Sequence, residues 1–225
     1  MNNLNVFKHM PIVTDVDVPG KTALILTFDC GCDLRCYHCH YFDARKTEKI
    51  YTFGEALNKI IAILKTDMIE TIVLTGGEFL GIDGKKVAQI LEYFTTNFPT
   101  LDIVINTNGT SPSIIRTILD THQNISFHVD AKSAPDIDNK ITRKIIGSDP
   151  NYYIRQLAQT LDIIYADSGT EHLVRTVEYP INDIMQYPVC GPHYFTEIVN
   201  TSLKSFEVKY DKKIIRHINP FMRLE

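Results

Sequence analysis

Short apolar runs alternate along the chain with longer stretches whose apolar residues recur at helical spacing. The runs are Thr22–Phe28, Thr71–Thr75, Asp102–Asn106, Ile125–Asp130, Leu173–Glu178 and Phe206–Lys209. They are rich in Val, Ile, Thr and Phe, and several are nearly continuous, as strands buried on both faces are. Between them, Phe53–Leu64 carries a helical stripe at Ala56, Leu57, Ile60, Ile61 and Leu64, and Val87–Phe94 carries another at Val87, Ile90, Leu91 and Phe94. A third helix starts at Ser111-Pro112, with Ser111 as cap and Pro112 in the first turn, and runs through Ile114, Ile115, Ile118 and Leu119. Asn151–Tyr165 and Tyr194–Leu203 complete the set. Strand and helix alternating in about six units is the pattern of a mostly parallel sheet with crossover helices, and six units are too few for a closed eightfold barrel. An open sheet and a partial barrel both satisfy it. The predicted fold is α/β, a partial (β/α)6 barrel with mostly parallel strands in a single domain. Residues 1–21 form a lead-in, 22–205 the core and 206–225 the C-terminal strands. Ligands of such a fold sit at the C-terminal strand ends, so functional motifs should follow strands directly.

Composition narrows the class. The chain has 225 residues, of which 44% are apolar, enough for a core that needs no disulfides. Lys and Arg number 23 against 27 Asp and Glu, a net charge of −4, which argues against a nucleic-acid partner and against a polybasic membrane patch. Thr22–Phe28, the longest apolar stretch near the start, is far too short to span a bilayer, and no small-residue cleavage pattern follows. The expectation is a cytoplasmic protein with no membrane partner.

The five cysteines are the unusual feature of this composition. Four of them lie between Cys30 and Cys39, too close together for a useful disulfide framework. The segment Thr27-Phe-Asp-Cys-Gly-Cys-Asp-Leu-Arg-Cys-Tyr-His-Cys-His-Tyr41 follows the first predicted core strand and contains Cys32-x3-Cys36-x2-Cys39. Three thiolates on one curled loop can converge on one iron–sulfur cube and leave one iron without a protein ligand. A tetrahedral zinc site from Cys36, Cys39 and two of Cys30, Cys32, His38 and His40 is the alternative.

Cys32-x3-Cys36-x2-Cys39 resembles the signature of the radical S-adenosylmethionine (SAM) superfamily. That resemblance implies a [4Fe-4S] cluster held by Cys32, Cys36 and Cys39, with SAM on the fourth iron. His38 stands where the family commonly has another flat ring, and Cys30 lies outside the motif as a small semi-buried residue. Downstream, Thr75-Gly-Gly-Glu78 is by itself an ordinary tight turn. Placed after a three-cysteine loop, it resembles the family motif that implies Gly76, Gly77 and Glu78 around the SAM amino group. Asn106-Thr-Asn-Gly109 is a turn signal that resembles the Thr-Asn-Gly segment of glycyl-radical-enzyme activases, implying SAM contacts from Asn106 and Asn108. Asn106 replaces an Asp common in the pyruvate formate-lyase activases, so no charge acts at that position. Val129-Asp-Ala-Lys132, otherwise a strand end with an exposed ion pair, resembles the activase Asp-x-Lys segment and implies Asp130 and Lys132 beside SAM. Arg175, otherwise a surface Arg, resembles a strand-borne Arg directed at the SAM carboxylate. Asp17-Val-Pro-Gly-Lys21 and Ile218-Asn-Pro-Phe221 resemble the lead-in and closing strand of the activases of anaerobic ribonucleotide reductase and pyruvate formate-lyase.

The resemblance implies an oxidoreductase that cleaves SAM reductively and makes a glycyl radical on a partner, an anaerobic ribonucleotide reductase being the nearest match. It also implies an external electron donor such as flavodoxin or ferredoxin. Only Cys30 and Cys190 lie outside the triad, too few for another four-cysteine cluster, and Cys190 reads as a plain thiol. The rivals are a radical SAM enzyme acting on a small molecule or peptide and, from another class, a zinc-binding interaction module. Tyr37 and Tyr41 are expected near the rim of a partner groove, while His9, His128 and His193 carry no assigned role.

Overall fold

A computed structural model describes residues 5–8, 10–15, 17–36, 39, 50–133, 138–178, 207–209, 211 and 215–218. The expected helix 194–203, together with His9, Tyr37, His38, Tyr41, Cys190 and His193, lies outside the described residues. The chain divides into two compact units, one of Met1–Asp33, His40–Thr107 and Arg116–Phe127, the other of Leu34–Cys39, Asn108–Ile115 and His128–Glu225.

In the first unit, β3 (Ala23–Phe28) and β5 (Thr71–Gly76) pair in parallel from Ala23↔Thr71 to Phe28↔Gly76. Strand β6 (Asp102–Thr107) continues the parallel order beside β5. Leu24, Leu26, Phe28, Ile72, Val73 and Leu74 are all buried, so the near-continuous apolar runs are strands covered on both faces. Helix α1 (Phe53–Leu64) begins with a reciprocal cap: the Glu55 amide donates to Thr52 Oγ1 at 3.1 Å, and the Thr52 amide donates to Glu55 Oε2 at 2.7 Å. It buries Phe53, Ala56, Ile60 and Leu64, with Leu57 and Ile61 of the expected stripe half-buried, while α2 (Gly84–Asn97) buries Val87, Ile90, Leu91 and Phe94, the stripe read from the sequence. The rings of Phe7 and Phe28, and of Phe28 and Phe79, lie 4.8 Å apart and form the floor beneath the end of β3.

The lead-in carries two strands that the apolar pattern did not indicate. Strands β1 (Asn5–Phe7) and β2 (Ile12–Thr14) run antiparallel along β3, with Phe7↔Phe28 and Ile12↔Ile25 in register, and β1 also pairs with β4 (Tyr51–Thr52). Two or three residues are too few to show alternation.

The second unit holds the end of β7 (Ile125–Asp130), followed by β8 (Leu173–Glu178) and β9 (Ile215–Ile218), all parallel. Helices α3 (Pro112–Thr121), α4 (Asn139–Ile146) and α5 (Pro150–Ala166) lie along the chain between β6 and β8, and α5 buries Tyr153, Leu157, Leu161 and Ile164. One expected strand is corrected: Glu207–Lys209 is helical, and the final strand is Ile215–Ile218. The alternation in Phe206-Glu-Val-Lys209 is too short to separate strand from helix. The α/β class with mostly parallel strands is otherwise as the pattern predicts. Among the described residues no helix is long and apolar enough to cross a membrane.

Candidate functional site

The cysteine loop, Gly76-Gly-Glu78, Asn106-Thr-Asn-Gly109 and Asp130-Ala-Lys132 come at strand ends, as the fold rule requires, whereas Arg175 lies within β8 (Leu173–Glu178). In the first unit, β3 runs into Asp29-Cys-Gly-Cys32 and its partner β5 runs into Gly76-Gly-Glu78. Gly76 has φ +147°, a backbone conformation that favours glycine, and a Cβ there would fall on the Phe28 carbonyl oxygen and lie 3.1 Å from Cys30 Sγ. The Glu78 amide donates to the Gly31 carbonyl at 2.9 Å and so ties the Gly-Gly-Glu turn to the start of the cysteine loop. The Glu78 side chain is buried, and its Oε1 accepts from Thr107 Oγ1 at 2.8 Å and from the Leu80 amide at 3.3 Å. Thr107, at the end of β6, belongs to the Asn106-Thr-Asn-Gly109 motif, but its contact with Glu78 spans 29 residues and has no local signal. Asn106 beside it is half-buried, and its side-chain carbonyl oxygen is buried and accepts no hydrogen bond.

Cys30 is buried against the same turn. Burial pushes its thiol up to about 12, and the Glu78 carboxylate adds to this against the Gly77 and Glu78 amides. The thiol is therefore buried in its neutral form. Cys32 is half-buried, and so are Cys36 and Cys39 of the second unit; none is in a disulfide. The Cys39 amide donates to the Cys36 carbonyl at 3.2 Å, which turns the chain between the two. Among the described residues no three His, Cys, Asp or Glu side chains are gathered as a metal site. Three unbridged, accessible thiols suit an iron–sulfur cluster by donor type, and the orphaned Asn106 oxygen suits a polar ligand close to the strand ends.

In the second unit, Asp130, Lys132 and Arg175 meet although 45 residues separate the first from the last. Asp130 and Arg175 are in register on β7 and β8. Arg175 Nε pairs with Asp130 Oδ1, and Lys132 Nζ lies 3.0 Å from Asp130 Oδ2. Burial alone would raise the Asp130 pKa, but the Lys132 and Arg175 charges and their hydrogen bonds hold it well below the usual carboxylate range. The backbone here is fixed from two sides. The Ala131 amide donates to the Arg175 carbonyl at 2.8 Å, and the Lys132 amide donates to the hydroxyl of fully buried Tyr153 at 2.7 Å. Asn108 Oδ1 accepts from the Thr110 amide and hydroxyl, at 2.9 and 2.6 Å, so this buried side chain holds its own turn.

Stability at low pH should report the Asp130 carboxylate. Its folded pKa is depressed, so its contribution is fully present above the unfolded value of about 3.9 and is lost as pH falls below it. Asp130→Asn should lower stability at neutral pH and converge with the wild type in acid, a difference read directly from urea midpoints across pH. Parallel curves would mean that the pairing contributes nothing.

A family model described as the Radical SAM superfamily matches residues 27–174, well over half of the chain. The chain belongs to the radical SAM superfamily. As a radical SAM protein it takes a [4Fe-4S] cluster and SAM as cofactors, which sets aside the zinc alternative. Comparison with curated proteins returns no match. Among solved structures, native anSMEcpe with bound AdoMet and Kp18Cys peptide is 15% identical with a TM-score of 0.55, over 84% of this chain and 49% of that one. Native anSMEcpe with bound AdoMet is 14% identical with a TM-score of 0.55, over 84% and 50%. The radical SAM chain thus spans about half the length of these structures and shares their fold.

Proposed function

We propose that residues 1–225 form one radical SAM domain that acts as an activase, cleaving SAM reductively to place a glycyl radical on a partner enzyme, an anaerobic ribonucleotide reductase. Cys32, Cys36 and Cys39 would hold the cluster, with Gly76, Gly77 and Glu78 around the SAM amino group and Asn106 and Asn108 as further SAM contacts. Held there, the cluster and SAM would supply the one-electron reductive cleavage chemistry. The chain's own residues bind and orient. The Glu78 carboxylate, fixed by Thr107 and the Leu80 amide, can accept from an ammonium group. Lys132 and Arg175 carry two positive charges against the single negative charge of Asp130, which leaves a positive balance for a carboxylate.

What supports the activase reading is this ion group: the residues that the resemblance assigns beside SAM, far apart in sequence, meet in one place. The test is anaerobic. Reconstituted protein, reduced by flavodoxin or ferredoxin, is mixed with SAM and a co-encoded glycyl-radical enzyme, and the glycyl signal is sought by EPR. SAM cleavage with no glycyl radical on any co-encoded reductase or lyase would sink the activase reading. A second reading, modification of a peptide, draws on the fold shared with anSMEcpe, which is solved with a peptide bound. A mass change in a peptide, without a glycyl signal, would select it.

A further inference from the structure

We propose that Gly147, the residue that ends α4, positions the cysteine loop through Arg35. This rests on the reading of Cys36 as a cluster ligand. Helix α4 is anchored by buried Ile141, Thr142, Ile145 and Ile146, and the Thr142 hydroxyl lies 2.8 Å from that of Ser133. Gly147 closes the helix in the left-handed conformation, φ +59°, and its amide donates to the Arg143 carbonyl at 2.8 Å. The Ile146 carbonyl is one of the last four of the helix and has no partner within it. It accepts instead from the Arg35 amide at 2.7 Å. Arg35 immediately precedes Cys36, and Leu34 before it is fully buried.

The approach is closer than any side chain at position 147 permits. A Cβ there would fall on the Arg35 carbonyl oxygen and lie 2.6 Å from Arg35 Cβ and 3.0 Å from its carbonyl carbon. The obstacle is mostly backbone, so no rotamer change relieves it. The Arg35 carbonyl carbon is bonded to the Cys36 nitrogen, and the Cys36 carbonyl accepts from the Cys39 amide. A rigid helix end therefore sets the path of the chain through Arg35, Cys36 and Cys39. Neither Gly147 nor Arg35 needs to touch the cluster: both are positioning residues.

Gly147→Asn is the decisive variant, because Asn tolerates the left-handed region and keeps the fold while still carrying a Cβ. Gly20→Ala is the control. Gly20 also has a positive φ, +73°, but a Cβ there meets nothing within 4 Å. In metal-free protein Gly147→Asn should speed alkylation of Cys36 by about threefold or more, as expected of a loosened segment. After reconstitution it should lose iron to a chelator about tenfold faster, a typical effect of removing support behind a metal ligand, and shift the EPR g-values of the reduced cluster. Gly20→Ala should change none of these. Alkylation, iron loss and g-values all at wild-type levels in Gly147→Asn would overturn the proposal. So would an Arg35 amide that exchanges freely in the wild-type metal-free protein, a measurement that needs no variant to fold. A wild-type protein that takes up no iron, while Gly147→Asn still exposes Cys36, would keep the positioning role and sink the cluster reading.

Discussion

Replacing Cys36 by alanine is expected to leave a protein that retains no four-iron cluster and cleaves SAM no faster than background. Three thiolates are the minimum set for a cluster with one open iron, so losing one leaves two irons without protein ligands. The fold should survive, because Cys36 is only half-buried and lies on a loop. The informative partner is Cys30→Ala, two residues before Cys32, the first of the three proposed ligands. Cys30 is 7% exposed, and its Sγ lies 3.7 Å from the Phe28 carbonyl, packed against the backbone of Gly76. Its removal opens a small cavity at a cost of about 1 kcal/mol and should leave the iron in place. Iron and sulfide per chain, with 5′-deoxyadenosine formed per hour, separate the two. If Cys30→Ala lost iron as completely as Cys36→Ala, the assignment of three ligands would fail.

What the sequence revealed, and what it hid, follows from the range over which each feature is encoded. Strands β7 and β8 and helix α1 begin and end where their apolar runs do, because a buried strand or an amphipathic helix writes itself into consecutive residues. Cys32, Cys36 and Cys39 were visible because their spacing is local. Strands β1, β2 and β4 were not, since pairing with β3, or with β1 in the case of β4, determines them rather than their own two or three residues. Helix α4 was hidden as well: at eight residues it is too short for its stripe to stand out from the connection around it. At the candidate site the hidden residues are those that act through space. Thr107 reaches Glu78 across 29 positions, and Tyr153 reaches the Lys132 amide across 21. Arg35 and Gly147 meet by backbone approach, which leaves no trace in the pattern of residue types.

Gly76→Ala should be among the most damaging single-methyl changes available in the first unit. Two costs add at this position. With φ at +147°, an L-residue is strained by roughly 1–3 kcal/mol. The added Cβ also falls on the Phe28 carbonyl oxygen, where relief means moving β3 away from β5, and overpacking of this kind costs about 1–3 kcal/mol. A loss of about 2–6 kcal/mol corresponds to a melting temperature lower by roughly 5–20 °C for a chain of this size. Gly31→Ala, one residue before Cys32, provides the contrast: a Cβ there meets nothing within 4 Å and its φ lies outside the left-handed range, so stability should change by no more than about 0.5 kcal/mol. The damage should extend to ligand binding. Phe28 and Gly76 are the last register pair of β3 and β5, and beyond them Glu78 is tied to Gly31 by its amide. Spreading the strands at this pair pulls the carboxylate away from the start of the cysteine loop. Calorimetry should therefore show weaker SAM binding by Gly76→Ala even at temperatures where the variant is fully folded. Unchanged melting would mean that the two strand ends are not packed as closely as the register requires. Lower melting with unchanged SAM affinity would separate the glycine's structural part from any part in the site.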